Sequence, residues 1–175
     1  MLEARAFIKN FDNAKEILKE RGAIYKGEYK IHDVIFASKD PRKTLADEFL
    51  RLRLVLKNIW DEKEVIVAIK HTELKEIGKN SVVPFKKEFT SDKEARRYID
   101  ENLLDAFRYV YEFGRTGWQY DLGNDQVDLE DIEGHCSIEI KSATEDGLHK
   151  LASIFQMKDI LQAPSVVAVK EILKR

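Results

Sequence analysis

The sequence predicts an α+β fold built on a largely antiparallel sheet. Short segments that alternate apolar and polar residues recur along the chain, and Gly, Asn and Pro punctuate several of the gaps between them. Helical spacing is confined to a few stretches between and after those segments. No low-complexity linker or internal repeat divides the 175 residues, so the chain reads as one domain over 1–175, long enough to bury a core.

The opening residues 2–8 alternate as a strand. A helix follows, with Asp12 or Asn13 as N-cap, Ala14, Ile17 and Leu18 on its apolar face, and Gly22 as its stop. Residues 23–38 carry Tyr25, Tyr29, Ile31, Val34, Ile35 and Phe36 around Gly27, which fits either a hairpin turning at Gly27 or one bent strand. Residues 48–54 and 64–70 alternate cleanly, and a further strand covers 82–89. Ser91 or Asp92 caps the longest predicted helix, with Ala95, Tyr98, Ile99, Leu103, Leu104, Phe107 and Val110 at helical spacing before Gly114. Strands at 117–122, 126–132 and 136–141 are separated by Gly123-Asn124 and Glu133-Gly134 turns. A helix starts near Thr144 and runs through Leu148, Leu151, Ile154 and Phe155, and after Pro164 residues 166–173 close the chain as a helix.

Charges fall on one face of several strands. Arg51 and Arg53 oppose Leu50, Leu52 and Leu54; Glu3 and Arg5 oppose Leu2, Ala4 and Ala6; Glu139 and Lys141 oppose Ile138 and Ile140. Periodicity leaves two arrangements open. One is an open sheet whose polar face meets water. The other is a closed barrel with a charged lumen and helices packed on its apolar outside.

Composition bounds the function. Apolar residues make up 43% and charged residues 35%, which fits neither a disordered tail nor a membrane protein, and no signal peptide is expected at the start. The lone Cys136 cannot form an internal disulfide, so the expected compartment is the reducing cytoplasm. With 30 lysines and arginines against 32 aspartates and glutamates, general nucleic-acid binding is not expected. Abundant Lys and Glu lean towards a thermophilic source. His32, His71, His135 and His149 lack zinc-ligand spacing, and neither common glycine-rich phosphate loop occurs.

Taken in order, the strands resemble the CYTH superfamily, the triphosphate tunnel fold of class IV adenylyl cyclases and thiamine triphosphatases. The residues that carry the resemblance span essentially the whole chain. They are Glu3, Asp33 within His32-Asp33-Val34-Ile35-Phe36, Leu50-Arg51-Leu52-Arg53, Lys70 at the end of its strand, and Arg115 ahead of Trp118-Gln119-Tyr120. Glu130 within Leu129-Glu130-Asp131 and Glu139 within Ile138-Glu139-Ile140-Lys141 complete the set. The resemblance implies a barrel of about eight strands with helices outside. It also implies a small-molecule triphosphate or polyphosphate as ligand, and Mg2+ or Mn2+ as cofactor. Arg51, Arg53, Lys70 and Arg115 would grip phosphate, with Lys86 a looser match. Glu3 and Glu139 would hold metal and, with Glu130, serve catalysis.

Two departures bear on that expectation. The family opens with Glu-x-Glu-x-Lys, where this chain has Glu3, Arg5 and Phe7; its late strand ends Glu-x-Glu, where this chain has Glu139 and Lys141. Divalent cations want hard oxygen ligands, so these replacements strip the metal site, while Arg5 and Lys141 can pair phosphate or neutralise Glu3 and Glu139. The sequence therefore supports a metal-dependent triphosphate phosphohydrolase, a binder of polyphosphate or nucleotide that has lost its chemistry, or a class IV adenylyl cyclase-type enzyme.

Overall fold

The structure, a computed structural model, describes residues 1–60, 63–161 and 165–173. Eight strands and four helices are present among them: β1 (Leu2–Phe7), α1 (Asp12–Glu20), β2 (Ile24–Ser38), β3 (Glu48–Lys57), β4 (Val65–Leu74), β5 (Lys79–Phe89), α2 (Asp92–Asn102), β6 (Phe107–Leu122), β7 (Asp125–Ile132), β8 (His135–Ser142), α3 (Glu145–Ile154) and α4 (Ser165–Leu173). Every neighbouring pair is antiparallel, and the strands close in the order β1-β5-β4-β3-β2-β6-β7-β8. Of the two arrangements that periodicity allows, the closed barrel is the one formed.

The alternation decides which side chains face out. Leu50 and Leu52 on β3, Val34 and Phe36 on β2 and Val67 on β4 pack against Ala95 and Ile99 of α2. Ala4, Ala6, Leu129, Ile138 and Ile140 do the same with Ala14 and Leu18 of α1 and Leu148 and Leu151 of α3. Burying the Val, Leu, Ile and Phe side chains among these contributes about 1.5–3 kcal/mol each, and the intervening residues are thereby turned into the lumen. Along the inner face the charged residues give way to Ile35, Phe49, Phe113 and Ile132. There α4 lays Val166 and Val169 across them and covers one end of the lumen. Tyr29, Ile31, Val55, Ile59 and Trp60 fill the other end.

The ring is unevenly zipped. β1 pairs with β8 along six residues, but with β5 only at Glu3↔Lys79. Gly78 makes that one pairing possible: its φ is +75°, and a Cβ there would stand 2.2 Å from the Glu3 carbonyl oxygen.

Several boundaries differ from the sequence reading. The long helix ends at Asn102 rather than before Gly114, and Phe107 and Val110 lie in the 16-residue β6. Phe107, Tyr109, Tyr111 and Phe113 also recur every second residue, and the pairing of this aromatic segment with β2 outweighs its helical spacing. Of the two readings open for residues 23–38, the single bent strand is the one formed, over 24–38 with a bulge between Tyr25 and Gly27. β5 begins at Lys79 rather than Val82. Phe11 occupies the N-cap position of α1 without a side-chain cap, whereas Ser91 caps α2 and Thr144 caps α3 through their side chains. Pro164 lies outside the described residues.

Candidate functional site

The lumen holds a cavity of about 240 Å3. Six cations line it, Arg51, Arg53, Lys70, Lys79, Arg115 and Lys141, against three carboxylates, Glu3, Asp33 and Glu139; Thr72 and Ser81 add hydroxyls. A chain with formal net charge -2 therefore encloses a concentration of positive charge. Low-dielectric walls strengthen the field of that charge on an anion inside.

Three strands build the cationic wall. Arg51 and Arg53 alternate along β3 and face Asp33 on β2 and Lys70 on β4. Arg53 makes a two-pronged pair with Asp33, Nε to Oδ1 at 2.8 Å and Nη2 to Oδ2 at 2.9 Å. That leaves little of Asp33 for others: Arg51 Nε stands 3.9 Å from Oδ1, and Arg115 Nη2 3.6 Å from Oδ2. The Nε atoms of Arg51 and Arg115 are buried without a hydrogen-bond partner. Among the described residues Lys70 has no ion-pair partner. Burial and the charge of Arg53 push Arg51 down to about 9, and burial with Arg51 and Arg53 pushes Lys70 down to about 7. Arg51 stays charged at neutral pH, and its nearest carboxylate, Asp33, is already held by Arg53. Asp33, despite a burial that favours its neutral form, is held well below the usual carboxylate range by Arg53 and Arg51.

The opposite wall is densely ion-paired, although Arg5 Nε and Nη2 are, like Arg51 and Arg115 Nε, buried without a hydrogen-bond partner. Arg5 is 2% exposed and Glu130 1% exposed; Arg5 donates to Glu130 and to Ser137 Oγ at 2.7 Å, and its Nη2 lies 2.8 Å from Glu139 Oε1. Arg115 Nη1 also donates to Glu130, at 3.2 Å. Tyr29 donates its hydroxyl to the same carboxylate, and Gly117 makes room for it, since a Cβ there would stand 2.1 Å from the Tyr29 ring. Lys141 Nζ lies 2.6 Å from Asp128 and 3.4 Å from Glu139. Burial raises the carboxyls here, but Arg115 and Arg5 bring Glu130 below its ordinary value, and Arg5 and Lys141 bring Glu139 well below. Asp128, under the same burial, is raised.

Seven sequence-predicted site residues meet at the cavity: Glu3, Glu139, Arg51, Arg53, Lys70, Arg115 and Lys141. Three do not line it. Arg5 and Glu130 point inward but lie beyond the cavity, paired with each other. Lys86 is exposed on β5, 3.5 Å from Glu88. Sequence reasoning missed Lys79, Thr72, Ser81, Asp128 and Tyr29. Gly78 directly before Lys79-Asn80-Ser81 is the signal that could have extended the strand back to Lys79.

The carboxylates do not fit a divalent cation. Glu3 accepts from Ser81 at 3.2 Å and pairs with Lys79 at 3.3 Å; Glu139, Glu130, Asp33 and Asp128 are each ion-paired as above. Across the β1–β8 ladder Glu3 faces Lys141 and Arg5 faces Glu139, so each acid looks onto a base. Among the described residues no group of three His, Cys, Asp or Glu side chains is placed to hold a metal.

No family model matches the chain, and no curated protein matches it. Solved structures do. The PH1819 protein of Pyrococcus horikoshii OT3 superposes with a TM-score of 0.73 at 20% identity, over 99% of both chains. A candidate adenylyl cyclase from Hippeastrum, described as having a dominant triphosphatase activity, gives 0.64 at 12% identity, covering 97% of this chain and 95% of its own. A candidate adenylate cyclase from Vibrio parahaemolyticus gives 0.62 at 16% identity, over 99% of this chain and 97% of its own. The chain thus shares the fold of these structures, in line with the barrel that the resemblance to the CYTH superfamily implies.

Proposed function

We propose that the lumen binds the phosphate chain of a small-molecule triphosphate or polyphosphate, inorganic or organic. One observation carries this reading: six cations against three carboxylates line a closed lumen, with Arg51 buried and its Nε unpartnered. Arg51 and Lys70 are the first contacts, because Lys70 has no ion pair to give up among the described residues and Arg51 only the long one to Asp33. Arg53 and Arg115 keep Asp33 between them and add charge at a distance their geometry already fixes. Lys79 and Lys141 sit on the Glu3 side. Charge-assisted hydrogen bonds from guanidinium to phosphate are short and strong, and their strength grows where water is excluded.

Calorimetry with sodium tripolyphosphate, with sulfate as the control anion, tests the reading. Saturable binding to tripolyphosphate that sulfate at equal ionic strength does not reproduce is expected. Equal, weak binding of both anions would reduce the lumen to a non-specific basic hole.

Hydrolysis of the bound chain is the second reading. It is favoured by Glu3, which at 23% exposure is the carboxylate on the cavity with the most solvent access, and by the triphosphatase activity ascribed to the Hippeastrum neighbour. Release of phosphate from tripolyphosphate supports it; release of pyrophosphate with a cyclic nucleotide from ATP supports cyclisation.

A further inference from the structure

We infer that the form of the phosphate chain bound in the lumen is the one free of divalent metal, and that Mg2+ opposes binding. The inference rests on the binding reading above and deepens it. It comes from a disagreement between the fold, whose relatives are expected to present metal-binding acids on the first and last strands, and the residues found there.

On the inner face those strands read Glu3 and Arg5 on β1, and Glu139 and Lys141 on β8. They are set against each other as a checkerboard, Glu3↔Lys141 and Arg5↔Glu139. Arg5 and Lys141 hold Glu139 at 2.8 and 3.4 Å, and Lys79 with Ser81 holds Glu3. A divalent ion arriving on a phosphate chain would have to break these pairs to find an oxygen ligand; taking Glu3 would leave the buried Lys79 without its carboxylate, and taking Glu139 would leave Arg5 and Lys141 with one carboxylate each, Glu130 and Asp128. It would also arrive among Arg51, Lys70 and Arg115, whose charges repel it.

The chain itself carries the second half of the argument. A magnesium-bound polyphosphate has lost part of its negative charge, has phosphate oxygens occupied by the ion, and brings the waters that magnesium is slow to release. The free chain offers all its oxygens to the guanidinium and ammonium donors already in place. The protein's own cations therefore do for the ligand what a metal does elsewhere, which is to neutralise it.

The test is calorimetry of the full chain with sodium tripolyphosphate, once in EDTA and once in Mg2+ in excess over the ligand, with a Mn2+ titration of the protein alone. Expected are binding in EDTA, an apparent affinity at least about tenfold lower in Mg2+ (a difference of ~1.4 kcal/mol), and no Mn2+ binding without ligand. K141E, which sets a fourth carboxylate beside Glu139, Asp128 and Glu3, is expected to gain Mn2+ binding and to lose affinity for tripolyphosphate in EDTA; K141Q is expected to show the loss without the gain. Equal affinity in both buffers, binding that requires Mg2+, or Mn2+ binding by the unaltered protein would overturn the inference and leave the binding reading standing. Absence of tripolyphosphate binding in both buffers would overturn the binding reading itself. The wild-type measurements decide between these results even if K141E does not fold.

Discussion

On one side of the lumen β3 and β4 present Arg51, Arg53 and Lys70 against the single carboxylate of Asp33. On the other, β1, β7 and β8 lock Arg5 and Lys141 among Glu130, Glu139 and Asp128. Both walls are built of the same charged residue types at the same inward positions, and they differ in how many carboxylates answer the charges and how closely. The answered wall needs no ligand and holds the barrel's shape. The unanswered wall stores an unfavourable interaction in the free protein that an anion relieves. Stability and binding are thus assigned to opposite walls, and variants can separate them.

The largest effect is expected on the answered wall. Arg5→Leu leaves Glu139 buried without its main partner and Glu130 with only Arg115 and Tyr29, which costs about 3–5 kcal/mol and should appear as a large drop in Tm. The same change tests the assignment of Arg5 as structural: if Tm holds and tripolyphosphate affinity collapses, the two walls do not divide the labour as described.

Arg51→Met is expected to do the reverse. Removing a buried cation whose Nε has no partner should leave Tm unchanged or raise it. Losing its bonds to phosphate, about 1.5–3 kcal/mol, should weaken tripolyphosphate binding by about tenfold to a hundredfold. A Tm loss comparable to that of Arg5→Leu would erase the contrast.

A smaller effect concerns pH. Lys70 titrates near 7 in the free protein because burial, Arg51 and Arg53 all disfavour its charged form. An anion beside it moves it back towards its ordinary value of 10.5. Below pH 7 the lysine is charged before and after binding, so affinity is at its full value. Between pH 7 and the bound value, binding takes up a proton, and affinity falls with rising pH by at most about tenfold per unit. The folding contribution has the opposite slope: the folded state holds fewer protons than the unfolded chain between about 7 and 10.5, so Lys70 opposes folding below pH 7 and this opposition fades as pH rises. Subtracting the affinity profile of Lys70→Met from that of the wild type isolates the lysine from protonation of the ligand. Superimposable profiles would show that Lys70 does not touch the phosphate chain.

Much of this contrast was legible in the residues before the fold was known. Leu50-Arg51-Leu52-Arg53 reads as a strand with an apolar back and a cationic front because strand periodicity is two, and both arginines are where that pattern puts them. The pairing state was not legible. Arg5 and Arg51 look alike in sequence, but whether each meets a carboxylate depends on the register of β1 against β8 and of β3 against β2, set by strands more than a hundred and some twenty residues apart. Closure was equally hidden, since an open sheet shows the same alternation. The aromatic run of β6 was misread because Leu103, Leu104, Phe107 and Val110 satisfy helical spacing locally, and only the long partner β2 reveals the strand.

The sparse zipping of β1 to β5 has a consequence for how copies of this chain meet one another. Beyond Lys79 the outer edge of β5 has no ladder partner among the described residues, and an unpaired strand edge is a template for adding a strand from another molecule. Val82 and Val83 are exposed there and would reward such pairing. The same stretch carries Pro84, which removes an amide donor, followed by Lys86 and Lys87. Those residues guard the gap: a second chain approaching in register would find a missing hydrogen bond and bring two more positive charges against its own. The opening in the ring is therefore kept from becoming a seed for runaway sheet growth by the residues that follow it in sequence.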